Sequence, residues 1–218
     1  MTQVTDRHDG CGGALYTPAL MRITEITLEA PEVRTFRLEF QDPADHARFR
    51  ERFRTGMFGL YGVFGEGECT FCVASPQTRT DYIECTFRRA GRATGALADC
   101  DIGDVIGFRG PYGNRFPLEE FAGKNLVFVA GGIGLPPTRS VIWSCLDDRD
   151  RYGEITIVYG ARTVADLVYK RELDAWQRRD DVRLVQTVDP GGETPDWSHE
   201  IGFVPAVLER AAPSADNA

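Results

Sequence analysis

The sequence has no long apolar run, and none of its hydrophobic stretches could cross a bilayer. Its first residues, MTQVTDRHDGCGG, lack the apolar core of a secretory signal peptide. These absences predict a cytoplasmic protein with no membrane span. Positive charge is also scarce: 25 Lys and Arg against 33 Asp and Glu leave a net charge of −8. This balance argues against a surface that binds nucleic acid.

Clustered cysteine and histidine are missing as well. The six cysteines are scattered, at positions 11, 69, 72, 85, 100 and 145. Because there is no four-cysteine motif, and because His8, His46 and His199 show no ligand or triad spacing, no metal site is predicted. Cys69 and Cys72 form a CxxC motif without a second pair. We interpret them as residues for packing or ligand contact, with a metal site or redox dithiol as the alternative.

The first half of the chain contains a series of short strands. Residues 1–17 are polar and glycine-rich, which predicts a flexible arm. Six segments between residues 18 and 120 have strand character and are separated by turns: Arg22–Leu28, Val33–Phe40, Gly56–Phe64, Thr70–Ser75, Tyr82–Arg89 and Asp104–Arg109. Short strands at close spacing, with little room for helices, predict a six-stranded antiparallel Greek-key barrel.

In the second half, residues 121–218, the spacing of the apolar residues changes. It predicts strands at Leu126–Ala130, Glu154–Ala161 and Val182–Val188, and helices at Leu135–Leu146, Asp166–Arg179 and Ile201–Glu209. Strands that alternate with helices form a parallel sheet, so we predict an α/β domain after the barrel. The first of these strands is apolar without alternation, which predicts burial on both faces.

A glycine turn, Gly131-Gly132-Ile133-Gly134, follows that strand and leads directly into a helix. Glycines permit a tight turn and a close approach of a ligand to the backbone, and the first amides of a helix attract phosphate. A dinucleotide site is one interpretation, and an ordinary glycine-lined connection is the other. The spacing is not that of the GxGxxG fingerprint, and Arg162 stands where an acidic ribose ligand is expected.

A basic turn lies between the last two strands of the predicted barrel. Arg88, Arg89 and Arg92 stand among glycines and Thr94, just before a predicted short helix. Guanidinium groups and helix amides together could bind a pyrophosphate. A basic turn capped by a small helix is the equal alternative.

Several ordered blocks resemble one family. GGIGLPPTRS resembles the family's GGIGLAPLRS, YGARTVADLVYKREL resembles its block after the second strand, RGPYGNRFP resembles the end of its barrel, and GRATGAL resembles its flavin turn. The resemblance is to the ferredoxin–NADP reductase superfamily, above all to the gamma subunits of cytoplasmic NAD(P)-linked hydrogenases and sulfhydrogenases. The flavin subunit of anaerobic sulfite reductase and the electron-transfer subunit of dihydroorotate dehydrogenase are similar too. The resemblance covers residues 20–218.

The resemblance implies FAD in the barrel, NAD or NADP on the α/β domain, and a redox partner such as an iron–sulfur or hydrogenase subunit. By position, the FAD contacts would be Cys69, Thr70, Phe71, Cys72, Phe87, Arg88, Arg89, Gly91, Ala93 and Thr94. The nicotinamide cofactor would meet Gly131, Gly132, Ile133, Gly134, Leu135, Pro136, Gly160, Ala161 and Arg162. The implied function is electron transfer between NAD(P)H and the partner through FAD.

Two departures from the family pattern bear on this function. Cys72 replaces the hydroxyl that usually faces flavin N5, which makes it the implied catalytic residue, although a thiol is a weaker donor. Relatives also continue into a further strand and a cysteine-rich 2Fe–2S segment, whose cysteines this chain lacks. We therefore expect a fragment or a naturally short subunit, with one edge of its parallel sheet open. A sulfite- or dihydroorotate-type flavin subunit and a non-catalytic assembly subunit remain the alternatives.

Overall fold

The computed structural model describes residues 16–213 and 216–217, so most of the predicted arm at residues 1–17 lies outside the described residues. Two sheets make up the fold, one before and one after the predicted boundary near residue 120. Among the described residues, no helix is long and apolar enough to cross a membrane.

The first sheet is antiparallel and has six strands in the order β4-β3-β6-β1-β2-β5. Its strands are β1 (Ala19–Ala30), β2 (Val33–Phe40), β3 (Phe58–Val63), β4 (Gly67–Cys72), β5 (Ile83–Arg88) and β6 (Val105–Tyr112), and its helices are α1 (Pro43–Arg52) and α2 (Arg92–Ala98). The predicted barrel is confirmed. The order leaves β4 and β5 as the two edge strands.

Aromatic side chains fill the inside of this barrel. Phe36 and Phe87 meet edge to face, with ring centroids 5.0 Å apart, and Tyr61 and Phe108 lie 5.1 Å apart. All four are buried. Such pairs add to the free energy of burial, so one aromatic cluster holds the strands together.

The second sheet is parallel and has the order β10-β9-β8-β7. Its strands are β7 (Leu126–Gly131), β8 (Ile155–Ala161), β9 (Arg183–Val188) and β10 (Glu200–Ile201), and its helices are α3 (Leu135–Asp147), α4 (Lys170–Gln177) and α5 (Val204–Ala211). The predicted α/β fold is confirmed. The short strand β10 was not predicted, and it occupies the start of the segment for which a last helix was expected.

The predicted helix Asp166–Arg179 is wrong in its first turn. A short 3-10 turn spans Val164–Asp166, Tyr169 adopts the left-handed conformation with φ 56°, and α4 begins only at Lys170. The amide of Val168 donates to the Tyr159 hydroxyl, 3.1 Å away. The Tyr169 amide donates to a Glu29 carboxylate oxygen at 2.8 Å. Side chains therefore bind the amides of residues 168 and 169, which precede the first hydrogen-bonded turn of α4.

The prediction that strand β7 is buried on both faces is also wrong. Val127 is 36% exposed and Val129 is 42% exposed. These two side chains point to the same face of the sheet, so that face is incompletely covered at β7, an edge strand with only β8 beside it. At its start, the Asn125 amide donates to the Asn217 carbonyl at 3.0 Å, and its side chain donates to the Asp216 carbonyl at 2.9 Å. Beyond this start, no strand of residues 16–213 pairs with the outer side of β7.

Candidate functional site

The edge strands β4 and β5 form the predicted flavin side of the barrel. The rings of Phe71 and Phe87 lie 5.7 Å apart across these two strands. Phe87 is buried, whereas Phe71 and Cys72 are half-buried and Thr70 is exposed. An aromatic surface with a partly open edge fits the planar ring system of a flavin. At this edge the barrel surface is therefore open to a ligand, whereas elsewhere the side chains of the barrel cover it.

Strand geometry decides between the two interpretations of Cys69 and Cys72. The register places Cys69 opposite Tyr61 and Cys72 opposite Phe58, so three residues of extended strand separate the two cysteines. That distance is about 10 Å between Cα atoms, beyond the reach of a disulfide. Burial raises the pKa of both thiols. The alternative of a CxxC dithiol is therefore excluded, and no group of metal-ligating side chains occurs in the part of the chain that the structure describes.

The basic turn before α2 borders an open groove of about 890 Å³. The Thr94 hydroxyl accepts from the Ala90 amide at 2.9 Å and from the Gly91 amide at 2.8 Å, which fixes the turn. A Cβ atom on Gly91 would meet nothing within 4 Å, so the backbone faces free space. Ala93 is half-buried at the start of the helix. The turn thus has the rigid, accessible backbone that an anion site requires.

Two arginines line this groove together with the carboxylates of Glu32, Glu66 and Asp99. Arg89 pairs with Asp99 at 2.5 Å, and Arg92 pairs with Glu66 at 2.8 Å. Arg88 is exposed, and its guanidinium has no recorded ion pair within residues 16–213. Guanidinium groups recognise pyrophosphate through paired hydrogen bonds. The aromatic edge and the basic turn together fit FAD: the first suits its ring system and the second its pyrophosphate.

The glycine turn after β7 is open on its outer side. A 3-10 turn spans Gly132–Gly134, and Gly132 has a φ of 51°, which favours glycine. Cβ atoms at Gly131, Gly132 or Gly134 would meet nothing within 4 Å. Ile133 is exposed, whereas Leu135 and Pro136 are buried in the first turn of α3. Space in front of the turn and the start of a 13-residue helix fit the phosphates of a dinucleotide.

The end of β8 differs, although it was predicted as part of the same site. A Cβ on Gly160 would lie 2.5 Å from Thr187 Cγ2 and 2.7 Å from Val204 Cγ2. Packing against β9 and α5 therefore requires this glycine. Ala161 is buried, and only Arg162 is exposed at this end. Of the three predicted residues, Arg162 alone presents its side chain to a ligand.

A buried polar cluster at the junction of the two sheets was missed by sequence reasoning. Arg139 is 5% exposed and pairs with Glu84 of β5 at 2.6 Å. It also donates to the Ala74 carbonyl at 2.8 Å and to Glu172 of α4. Buried charges are stable only when paired in this way. The only feature of the sequence that could have predicted this cluster is the presence of polar residues at otherwise apolar positions of strands and helices.

Glu29 and Tyr169 belong to the same cluster. Burial raises the pKa of Glu29, and hydrogen bonds from Thr35 and Tyr169 partly offset this effect. Burial also raises the pKa of the Tyr169 hydroxyl above its ordinary value. Lys170 donates to the Glu29 carbonyl at 3.1 Å. The cluster thus joins β1 of the barrel to the start of α4.

Comparison with known proteins agrees with this fold. Residues 128–218 match the oxidoreductase NAD-binding domain. The chain is 33% identical over 187 residues to the gamma subunit of sulfhydrogenase 1 from Pyrococcus furiosus, an alignment that covers 84% of this chain and 61% of the relative. Residues 128–218 thus form a domain of the oxidoreductase NAD-binding type, and the chain is similar to a sulfhydrogenase gamma subunit. It thus spans about three fifths of the length of that relative.

Other relatives and solved structures show the same fold. The chain is 32% identical over 153 residues to the probable electron transfer subunit of dihydroorotate dehydrogenase B (NAD(+)) from Methanocaldococcus jannaschii, covering 70% of this chain and 51% of that one. Cytochrome P450 reductase GcoB from Amycolatopsis superposes with a TM-score of 0.73 at 23% identity, covering 92% of this chain and 61% of that chain. A ferredoxin NADP+ reductase from Neisseria gonorrhoeae with bound FAD and NADP gives 0.69 at 20% identity, with coverage of 88% and 76%.

Proposed function

We propose that the chain is a flavin-dependent electron-transfer subunit, with FAD on the barrel, NAD(P) at the glycine turn and a redox partner as the third component. One observation carries this proposal: a short hydrogen-bonded path connects the two predicted cofactor sites. Tyr159 donates to the Gly132 carbonyl at 3.2 Å and accepts from the Val168 amide, and the next residue, Tyr169, bonds to Thr86 beside Phe87. A structure that serves hydride transfer must hold its two cofactors in a fixed relation.

The barrel residues have separate roles in this proposal. Phe71, which packs against the buried Phe87, provides the aromatic surface for the flavin ring, while Arg88, Arg89 and the turn at Gly91 bind the pyrophosphate. When bound, FAD supplies the exchange between two-electron hydride transfer, from nicotinamide C4 to flavin N5, and single-electron transfer. Cys72 places a thiol at this edge. Because burial raises its pKa, the thiol stays protonated at neutral pH and acts as a weak donor.

The α/β residues bind the second cofactor. Amides at the start of α3 receive the phosphates in front of Gly131, Gly132 and Gly134, where no side chain blocks the approach. Arg162 is exposed at the neighbouring strand end and meets the ribose or its 2′-phosphate. The two halves of the chain, residues 18–120 and 121–218, thereby act as the FAD-binding and NAD(P)-binding domains.

The proposed partner is another subunit of a redox complex, of the iron–sulfur or hydrogenase type. The similarity to a sulfhydrogenase gamma subunit at 33% identity favours a hydrogenase gamma-like role. A dihydroorotate-type flavin subunit is the second candidate, because an electron transfer subunit of that kind is 32% identical. Both are multi-subunit redox systems by name, so a partner that accepts electrons is common to the two candidates.

Purification of the chain tests the function directly. The protein should be yellow, or should become so on addition of FAD, and NADH or NADPH should bleach the flavin absorbance without oxygen. Comparison of the two nucleotides at equal concentration assigns the cofactor preference. Protein that remains colourless with excess FAD, while folded by circular dichroism, would support the non-catalytic assembly subunit instead.

A further inference from the structure

A closed ring of hydrogen bonds passes through Tyr169. Its hydroxyl bonds to Thr86 Oγ1, Thr86 Oγ1 lies 2.8 Å from Thr35 Oγ1, and Thr35 donates to one Glu29 oxygen at 2.8 Å. The other Glu29 oxygen accepts from the Tyr169 amide at 2.8 Å. Because each hydroxyl has one proton, the donation runs from Tyr169 through both threonines to the carboxylate. The barrel therefore holds both the backbone and the side chain of Tyr169.

The backbone of Tyr169 is itself unusual. A φ of 56° and a ψ of 40° put a bulky residue in the left-handed region, which costs of the order of 1 kcal/mol or more. This conformation turns the ring away from α4 and into the junction, where it is 4% exposed. The Arg139 guanidinium lies 4.7 Å from the ring centroid. The Thr86 hydroxyl and the Arg139 guanidinium thus both fix the position of the Tyr169 ring.

One end of this arrangement reaches the nicotinamide turn. Val168, directly before Tyr169, donates its amide to the Tyr159 hydroxyl at 3.1 Å. The same hydroxyl donates to the Gly132 carbonyl at 3.2 Å. The Gly132 carbonyl also accepts from the Leu135 amide, so the Tyr159 bond is one of two hydrogen bonds that hold this carbonyl. A displacement of residues 168–169 would therefore move Gly132.

The other end reaches the flavin strand. Thr86 stands on β5 between Cys85 and Phe87, and Phe87 faces Phe71 across the flavin edge. Thr86 is buried, and its β5 neighbours are paired with β2, including Thr35 opposite Thr86. The Tyr169 hydroxyl therefore contacts a rigid part of the barrel, one residue from the predicted flavin contact.

We propose that Tyr169 is a positioning residue, which sets the nicotinamide turn relative to flavin strand β5 so that the hydride donor and acceptor are aligned. This role rests on the proposed function. The ion pairs of Arg139 with Glu84 and Glu172 attach α3, the helix that follows the turn, to β5 and α4. The Tyr169 ring adds a specific bond on the path between the turn and the flavin strand. Its loss should therefore affect alignment far more than stability or binding.

Hydroxyl-deletion variants test this role. Tyr169→Phe and Thr86→Val each remove one partner of the same bond, and Thr86→Ser keeps it. Flavin reduction at saturating nicotinamide nucleotide should slow about tenfold or more in the first two, because small misplacements of reacting groups are costly. Dissociation constants for FAD and nucleotide should stay within about twofold, and the double variant should be no slower than either single one. Thr86→Ser should behave as wild type.

Two further readouts do not depend on turnover. Reduced protein mixed with oxidised nucleotide should show weaker long-wavelength charge-transfer absorbance in Tyr169→Phe, since that band requires stacked rings. In the cofactor-free protein, amide hydrogen exchange of segment 131–134 should accelerate. The matched control is Tyr152→Phe, which removes a buried hydroxyl that bonds Cys145 within the α/β half and should change neither readout.

Each outcome bears on a separate claim. Unchanged reduction rate, absorbance and exchange in Tyr169→Phe would overturn the positioning role and leave the proposed function standing. If Tyr152→Phe changed the absorbance and the exchange rate as much as Tyr169→Phe does, the positioning role would also be overturned. The changes would then reflect a general loosening of the domain. Wild-type protein that binds no FAD would overturn the proposed function and this role together.

Discussion

The ends of strands β7 and β8 lie side by side and both carry glycine, yet the two glycine positions do opposite things. Gly131 pairs with Gly160 in the parallel register. At Gly131 an added Cβ would meet nothing within 4 Å, whereas at Gly160 it would lie 2.5 Å from Thr187 Cγ2. The first glycine keeps space free for a ligand, and the second lets the protein pack against itself.

This difference shows how to interpret a glycine at a strand end. A glycine before free space fits a ligand approach, because the backbone alone forms the surface there. A glycine before a side chain reports close packing, and its replacement should cost stability. The predicted site contained both kinds, and only the neighbours from β9 and α5 separate them.

The largest expected effect follows replacement of the packed glycine. Gly160→Ala should lower the free energy of unfolding by about 1–3 kcal/mol, because the new methyl group overlaps Thr187 and Val204. Chemical denaturation with matched m-values measures this loss. Gly134→Ala is the control: it has a helical φ of −78° and open space, so its change should stay within about 0.5 kcal/mol. Equal losses of unfolding free energy in Gly160→Ala and Gly134→Ala would contradict the distinction between a packed and an open glycine.

The same Gly134→Ala variant should show the opposite behaviour in binding. Its methyl group would occupy the space in front of the first amides of α3, and the affinity for NADH or NADPH should fall about tenfold, equivalent to about 1.4 kcal/mol. Isothermal titration of the FAD-loaded protein measures the change, with FAD content as the internal control. Undiminished nucleotide affinity would place the phosphates elsewhere.

The smallest expected effect concerns Arg162, the exposed residue at the β8 end. Arg162→Ala should raise the KM for the nicotinamide nucleotide about three- to tenfold, through loss of a charge-assisted hydrogen bond. Steady-state reduction of an artificial acceptor provides the measurement, and Arg183→Ala, at the opposite end of the sheet, is a charge-matched control. An effect on FAD retention with an unaltered KM would contradict the placement.

Much of the fold follows from local pattern. Val33–Phe40 alternates and forms β2 within the same bounds, and the period change near residue 120 separates the antiparallel sheet from the parallel one. The glycine turn and the basic turn also lie where their sequences predict, at the end of β7 and before α2. These features depend on residues close together in the chain, so the sequence alone suffices for them.

Other features depend on residues distant in sequence. The predicted burial of β7 was wrong because an apolar strand does not reveal how completely other elements cover each of its faces. The predicted helix start was wrong because Glu29, 140 positions away, accepts from the amide of Tyr169, and Tyr159, 9 positions away, accepts from the amide of Val168. The Arg139 cluster was missed for the same reason, since Glu84 is 55 residues distant.

By itself, therefore, the sequence determined the two halves of the fold and the two turns that suit phosphate, because periodicity and glycine act locally. The tertiary structure alone decided that Gly160 serves packing, that Cys69 and Cys72 cannot pair, and that the Tyr169 hydroxyl bonds to Thr86 of β5. Each of these depends on which side chains meet across elements. Free space and hydrogen-bond partners exist only once the chain has folded.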